Sequence, residues 1–173
     1  ATVLGYVGVI GQQEGMDLLV AAVDHLVRER GKTDIHVVVV GFGPHLETVQ
    51  NDVKSRGLET YFSFTGPLYG EEMLAALNAI DIGVAPDPKN AMNDISTMNK
   101  VMEYMTLEKP SVQFDLTEGR FSAQDASLYA RANDPIDFAA KIEALIDDPA
   151  LRSSMGKVGR ARVLDQLSWT HSI

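Results

Sequence analysis

The chain has 173 residues, 45% of them hydrophobic, and its formal net charge is −9. The hydrophobic share supplies a full core and excludes a disordered acidic tail, while the negative charge argues against nucleic acid or an anionic membrane as the partner of this chain. The absence of cysteine excludes disulfide and zinc–thiolate sites, so we expect a reducing, cytoplasmic compartment.

The two ends of the sequence carry no start or stop signal. The chain opens on Ala1 and Thr2 before an apolar stretch, and it closes on an aromatic tail around Trp169. No charged-then-apolar leader opens it, and no apolar run approaches the roughly 20 residues of a membrane span. We expect one domain over residues 1–173 that is a piece of a longer protein.

Apolar β-branched runs alternate with helical periodicity along the chain. Strands are predicted at residues 3–9, 35–40, 61–64, 81–85 and 111–114, with an edge strand at 128–130. Helices are predicted at residues 16–30, 44–56, 70–79, 97–107, 137–146 (with a cap near Asp134), 149–156 and 158–167. This alternation predicts an α/β fold, a Rossmann-like doubly wound parallel sheet with helices on both faces. Such sheets bind ligands beyond the carboxyl ends of their strands.

Two glycine-bearing turns follow strands of the predicted sheet. Gly8, Gly11 and Gly15 follow the first strand, where small residues let the backbone approach a phosphate. On this loop alone, a tight strand-to-helix turn without a ligand is the preferred interpretation, and the spacing is not that of a dinucleotide site. Gly66 and Pro67 follow the third strand, and their stiff turn either borders a flat base or is an ordinary loop.

The loop and helix after residue 85 carry the most informative pattern. Asp94, Ser96 and Thr97 either cap the coming helix or serve an anionic ligand, because a cap and a phosphate use the same N–H groups. Lys100 and Glu103 are neighbours on one helix face, either as a surface ion pair or as part of a ligand site. Apolar residues flank Glu103, which predicts a largely buried carboxylate that needs partners such as sugar hydroxyls.

The sequence offers no set of residues for nucleophilic or metal-assisted catalysis. Its 4 histidines have no ligand spacing, and no Ser-His-Asp pattern is present. We therefore expect neither a metal nor a cofactor.

Five motifs, taken in order, resemble the C-terminal, donor-binding half of retaining glycosyltransferases of the GT-B fold, the large group-1 class (family 4). They are YVG at 6–8, VVVGFGP at 38–44, FSFTG at 62–66, DIGVAP at 81–86, and NKVMEYM at 99–105 with KP at 109–110. The resemblance covers nearly the whole chain, and the last motif is the most specific. It implies that this chain is one half of a GT-B fold and that the N-terminal half brings the acceptor.

The resemblance implies a role for each candidate residue. Glu103 accepts hydrogen bonds from the ribose hydroxyls of a nucleoside diphosphate sugar, and Lys100 stands beside it. The acid that contacts the sugar in the family falls on Ile95 here, and a one-residue shift gives that part to Asp94. The remaining ligand contacts come largely from the backbone, at Gly8 and Gly11, at Gly66 and Pro67 beside the base, and at Ser96, Thr97, Met98 and Asn99 around the diphosphate.

Two cations that are common in the family are missing from this sequence. Their places hold Val9 and Glu14, and the loss weakens stabilisation of the departing diphosphate by several kcal/mol unless other cations replace them. Lys100, Arg120 and Lys89 are the candidates for that replacement.

The favoured hypothesis is the donor-binding half of a retaining glycosyltransferase, which moves a sugar from a nucleoside diphosphate sugar to an acceptor hydroxyl. The resemblance implies no metal and no protein nucleophile, an inactive isolated fragment, and any membrane contact through the full-length protein rather than through this domain. Two alternatives stay open: a sugar-nucleotide 2-epimerase-like enzyme, and a non-catalytic α/β binding module, which the missing cations favour.

Overall fold

The computed structural model describes residues 1–95 and 99–167. The strands are β1 Thr2–Val7, β2 Ile35–Val40, β3 Phe62–Gly66, β4 Ile82–Ala85, β5 Ser111–Phe114 and β6 Ser127–Ala130. The helices are α1 Met16–Arg28, α2 Leu46–Ser55, α3 Gly70–Ala79, α4 Ala91–Ile95, α5 Asn99–Thr106, α6 Thr117–Ala123, α7 Pro135–Ile146 and α8 Pro149–Arg162, which continues into a π-helical segment, Val163–Leu167. Short 3-10 turns lie at Gln12–Glu14, Glu59–Tyr61 and Gln124–Ala126.

The six strands form one parallel sheet in the order β3-β2-β1-β4-β5-β6. The chain winds outward from β1 to β3, returns to the centre at β4, and winds outward again to β6. The strand order therefore reverses between β1 and β4, whose pairing includes Gly5 opposite Gly83. Ligands of open α/β sheets bind at such a reversal, outside the carboxyl ends of the strands.

Apolar side chains cover both faces of the sheet because successive strand residues point in opposite directions. On one face, Leu4 and Val37 belong to a core with buried residues of α1, α2 and α7. On the other face, Val7 and Val40 pack with Leu77 of α3 and Tyr104 of α5. The predicted doubly wound α/β fold is thus confirmed.

Most predicted elements are present, and the differences have local causes. The first strand ends at Val7 rather than at residue 9, because Gly8 turns the chain with a φ of 151°. The predicted break between helices 149–156 and 158–167 was wrong, since α8 runs through Gly156, where a Cβ would overlap the carbonyl oxygen of Glu108. That glycine serves close packing of the helix and does not end it.

The edge strand and the cap at Asp134 are confirmed, and Asp134 accepts hydrogen bonds from the backbone N–H groups of Ile136 and Asp137. The short helices α4 and α6 were not predicted. The predicted helix start at Thr97 lies outside the described residues. No helix within the described ranges is long and apolar enough to cross a bilayer.

Candidate functional site

The site lies where the turns after the central strands meet. The turn after β1 packs against the turn after β2: Gly8 donates its N–H to the carbonyl of Val40 at 3.0 Å, and Ile10 donates to Phe42 at 3.2 Å. Gly41 has a φ of 141°, and a Cβ there would overlap the Gly8 carbonyl oxygen. These glycines permit backbone to lie against backbone, as the tight-turn interpretation predicts.

The helix α5 is fixed to the strand reversal by one buried tyrosine. The Tyr104 hydroxyl lies 3.0 Å from the carbonyl oxygens of Gly5 on β1 and Val84 on β4, to which it donates. Its ring occupies the space that a side chain at Gly83 would fill. Burial raises the pKa of Tyr104, so the hydroxyl stays protonated as a donor. The helix that carries Lys100 and Glu103 is therefore held against the two central strands.

Lys100 reaches the turn after β1 and forms a buried ion pair with Asp87 of the loop after β4. Its ammonium lies 3.2 and 3.1 Å from the two carboxylate oxygens of Asp87, and the two side chains are only 11% and 6% exposed. The ammonium also lies 5.4 Å from the centre of the Tyr6 ring, within the range of a cation–π contact. The alternative surface pair of Lys100 with Glu103 is thus replaced by a buried pair with a residue of the preceding loop.

Glu103 differs from its sequence prediction in one respect. The prediction of a largely buried carboxylate was wrong, because Glu103 is exposed to solvent. Neighbouring atoms still desolvate it enough to raise the pKa of its carboxyl, while the charge of Lys100 acts in the opposite direction. Within residues 1–95 and 99–167 its carboxylate has no hydrogen-bond or ion-pair partner. Its acceptor oxygens are consequently available to a ligand.

Asp94 holds a different position from that of a free acid. Its carboxylate accepts hydrogen bonds from the backbone N–H and the hydroxyl of Thr117, at 2.8 and 2.9 Å, at the start of α6. These bonds, the backbone one first, lower the pKa of Asp94. The capping role considered for Asp94 is thus filled toward α6 rather than toward α5.

The three candidate replacement cations are each paired with an acid. Lys100 pairs with Asp87, as described above. Lys89 lies 4.0 Å from Asp94, and Arg120 lies 2.8 Å from Asp115 while its guanidinium covers the Tyr129 ring. Of the three, only Lys100 reaches the turn after β1, where its Cε would lie 3.3 Å from a Cβ added to Gly8.

Glu14 occupies one of the two positions at which the resemblance implies a cation. One of its carboxylate oxygens is buried and accepts no hydrogen bond within the described part of the chain. A Cβ added to Gly11 would lie 2.5 Å from that oxygen, so the turn holds the acid close to its own backbone. Burial, with a smaller effect from the charges of Asp87 and Glu14, raises the pKa of Tyr6 on β1.

An apolar cleft of about 390 Å³ opens beside these turns. Its walls come from the ends of β1 and β2 and from the turn into α3, and they include Gly8, Gly41, Phe42, Pro67 and Tyr69. Phe42 and Tyr69 are 68% and 78% exposed, so two aromatic side chains stand open to solvent at its rim. Gly66 adopts a φ of 74° with open space around it, and it turns the chain toward this cleft.

Four predicted ligand positions directly precede or begin α5. Ser96, Thr97 and Met98 lie outside the described residues, and Asn99 is the first residue of α5. Within residues 1–95 and 99–167, no group of 3 or more His, Asp or Glu side chains is placed to hold a metal ion.

Comparison with known proteins decides the family. The sequence profile described as "Glycosyl transferases group 1" matches residues 1–148. The chain belongs to this family. It is 27% identical to the 2-deoxystreptamine glucosyltransferase of Streptomyces kanamyceticus over 175 residues, an alignment that covers 98% of this chain and 43% of the relative. The chain thus spans less than half the length of that relative.

Solved structures show the same fold. A TarM mutant from S. aureus, crystallised with Fondaparinux, alpha-GlcNAc-glycerol and UDP, gives a TM-score of 0.81 at 17% identity and covers 95% of this chain and 32% of its own. The C-terminal domain of LpcC, a group 1 family glycosyl transferase from Francisella tularensis, gives 0.77 at 20% identity, covering 96% and 86%. The chain therefore has the fold of these GT-B glycosyltransferase structures.

Sequence reasoning missed Asp87 and Tyr6, and of the apolar cleft it named only single turns, such as Gly66 and Pro67 beside the base. Asp87 could have been found by the rule already applied to the other loops, since it comes two residues after β4 at the carboxyl edge of the sheet. Tyr6 had the appearance of an ordinary strand residue. The cleft joins segments that are distant in sequence, so no local pattern shows that these turns share one cleft.

Proposed function

We propose that this chain is the donor-binding domain of a retaining glycosyltransferase that moves a sugar from a nucleoside diphosphate sugar to an acceptor hydroxyl. The observation that carries the proposal is the placement of α5 at the strand reversal, with Lys100 at the turn after β1 and the Glu103 carboxylate without a partner in the described chain. A cation and a free carboxylate on one face match the two ends of a ribose diphosphate.

Each part of the donor has a counterpart in the site. The exposed Glu103 carboxylate accepts hydrogen bonds from the ribose hydroxyls, and the Lys100 ammonium and the backbone of the Gly8 turn meet the diphosphate. The apolar cleft with Phe42 and Tyr69 at its rim takes the base. Two named proteins support this reading: the relative is a glucosyltransferase, and the TarM structure contains UDP.

The chemistry follows from holding the leaving group. The donor diphosphate gains negative charge as the glycosidic bond breaks, and fixed positive groups beside it lower the barrier. In the retaining mechanism, a diphosphate oxygen takes the proton of the acceptor hydroxyl, so the domain supplies orientation rather than a nucleophile. The N-terminal domain of the same protein brings the acceptor, and the cysteine-free chain fits a cytoplasmic location.

Calorimetric titration of the chain with UDP, GDP and ADP tests the donor site. At least one nucleotide should bind, and Glu103→Ala should weaken it by about tenfold or more, because hydrogen bonds to a charged acceptor contribute about 1.5–3 kcal/mol. Glu29→Ala is the matched control, since Glu29 is an exposed acid at the C-terminal end of α1, whereas the turn after β1 leads into the N-terminal end of that helix. Equal affinities for the Glu103 variant and the wild type would remove Glu103 from the site.

A non-catalytic nucleotide-binding module is the second candidate, and the acid partners of Lys100, Lys89 and Arg120 favour it. Transfer assays on the full-length protein separate the two functions. A sugar product with the anomeric configuration of the donor, read by NMR, supports the retaining transferase. Nucleotide binding without any transfer supports the module.

A further inference from the structure

Asp87 is a buried acid that has no assigned role. It follows β4 by way of Pro86, its residue surface is 5% exposed, and both of its carboxylate oxygens contact the Lys100 ammonium, at 3.2 and 3.1 Å. Within residues 1–95 and 99–167, no other carboxylate lies within ion-pair distance of that ammonium. A carboxylate so deeply placed needs a reason to be there, because burying a charge costs free energy even when it is paired.

The surroundings of Lys100 show what the pair does to the lysine. Its ammonium is confined between Asp87 and the face of the Tyr6 ring, and its Cε lies on the side of Gly8 where a Cβ would be, 3.3 Å from that position. The Tyr6 hydroxyl donates to the carbonyl of Val9 at 2.6 Å, which fixes the ring and the turn together. A lysine has a flexible four-carbon stem, so this enclosure defines where its charge stands.

Removing the acid would release the lysine. An ammonium that is mostly buried and has lost its counter-charge turns toward water or gives up its proton, because desolvation disfavours the charged form. The pair with Asp87 does not exhaust the ammonium, which has three N–H donors. The two contacts to the Asp87 oxygens occupy two of them, and the third can meet an anionic oxygen in the crevice.

We propose that Asp87 is a positioning residue: it holds the Lys100 ammonium at the turn after β1, where that ammonium meets the diphosphate of the donor. This inference rests on the proposed function and extends it to a residue that does not touch the ligand. It also gives a reason for the buried ion pair at the strand reversal, because well-packed apolar side chains at that place would often be equally or more stable.

A double-mutant cycle on nucleotide binding tests the inference. UDP, GDP and ADP are titrated into the wild type, Asp87→Ala, Lys100→Met and the double variant by calorimetry. Each single variant should weaken binding of the preferred nucleotide by about tenfold or more. The double variant should lose no more than about twofold beyond Lys100→Met, because the acid acts only through the lysine.

A comparison with the matching nucleoside separates positioning from general structural damage. Binding of uridine, guanosine or adenosine, followed by NMR titration, should be the same in wild type and Asp87→Ala, since a nucleoside has no diphosphate. Asp87→Asn should retain more diphosphate affinity than Asp87→Ala, because its side-chain oxygen still accepts a hydrogen bond from Lys100. Asp147→Ala is the control: it removes the acid of another Lys–Asp pair, with Lys32, on the surface, and should change neither affinity.

Three results would overturn the inference. Additive losses in the cycle would mean that Asp87 does not act through Lys100. Equal losses for nucleoside and nucleotide would mean that Asp87 only maintains the fold. Tighter nucleotide binding by Asp87→Ala would mean that Asp87 neutralises the lysine instead of positioning it. A wild type that binds none of the three nucleotides would instead overturn the proposed function, and this inference with it.

Discussion

Gly83→Ala should push α5 away from the strands that hold it. A Cβ at this position would lie within 2.6 Å of three carbons of the Tyr104 ring, where an ordinary contact needs at least 3.4 Å. The ring cannot move aside easily, because it is fully buried and its hydroxyl is hydrogen-bonded to the carbonyl oxygens of Gly5 and Val84. The added methyl group must therefore displace the helix that carries Lys100.

The size of the effect follows from two contributions. Overpacking a core costs about 1–3 kcal/mol, and weakening the hydrogen bond of the Tyr104 hydroxyl adds about 1 kcal/mol. A total of about 2–4 kcal/mol is a large part of the roughly 5–15 kcal/mol that stabilises a domain. For a chain of this length it corresponds to a fall in Tm of roughly 4–16 °C. Nucleotide affinity should fall too, since the displaced helix carries the proposed ligand groups.

Urea unfolding and calorimetry check this prediction together. Gly31→Ala is the control, because Gly31 has a φ of 67° with no atom near a new Cβ, so it suffers backbone strain of about 1 kcal/mol without overpacking. In a Tyr104→Leu background, Gly83→Ala should cost at least about 1 kcal/mol less than in the wild type. A cost no larger than that of Gly31→Ala, with no dependence on residue 104, would refute the reasoning.

The further predictions concern three acidic residues. Burial raises the pKa of the Glu103 carboxyl. The contribution of Glu103 to folding stability is therefore present below the ordinary pKa of a glutamate and is lost as the pH rises through the raised pKa. Glu103→Gln should flatten this pH dependence in a series of unfolding measurements at different pH. The bonds from Thr117 lower the pKa of Asp94, so its contribution is present above the ordinary pKa and is lost as the pH falls through the lowered one. Asp94→Asn should reduce the loss of folding stability at low pH in the same series. If Asp94 contacts the sugar, sugar transfer by the full-length protein should fall with Asp94→Asn but not with Thr117→Val. Glu14→Lys should tighten UDP binding by about tenfold at low salt and less at high salt, whereas Glu29→Lys should not; unchanged calorimetric affinity would place the diphosphate elsewhere.

The sheet could be predicted because its strands are continuous or nearly continuous apolar runs in the sequence. Four of the six residues of β2 are buried and the other two are half-buried, as expected for a strand of a parallel sheet that is covered on both faces. The helices α4 and α6 could not be predicted, because they have 5 and 7 residues and too few turns to show a periodicity. Asp94 joins them through Thr117, a long-range contact that neither segment announces by itself.

Burial of single side chains was harder to predict than the elements that carry them. The apolar neighbours of Glu103 suggested a buried acid, yet on a helix of 3.6 residues per turn a residue can face solvent while those on either side of it face the core. Val101, Tyr104 and Met105 are indeed buried, and Glu103 is exposed. The helical period, applied to those residues, would have placed the carboxylate correctly.

At the strand reversal, the effect of a charged residue on an anionic ligand depends on its ion-pair partner as well as on its own charge. Lys100 is a cation with its own acid, and Glu14 and Asp87 both lie near the end of β1. A diphosphate entering this crevice would meet two acids and one cation, so it binds only if the ammonium is aimed at it. Because direction then decides the interaction, the residue that orients the ammonium becomes as important as the ammonium itself. The search for replacement cations by residue type alone could not have led to Asp87, which carries the opposite charge.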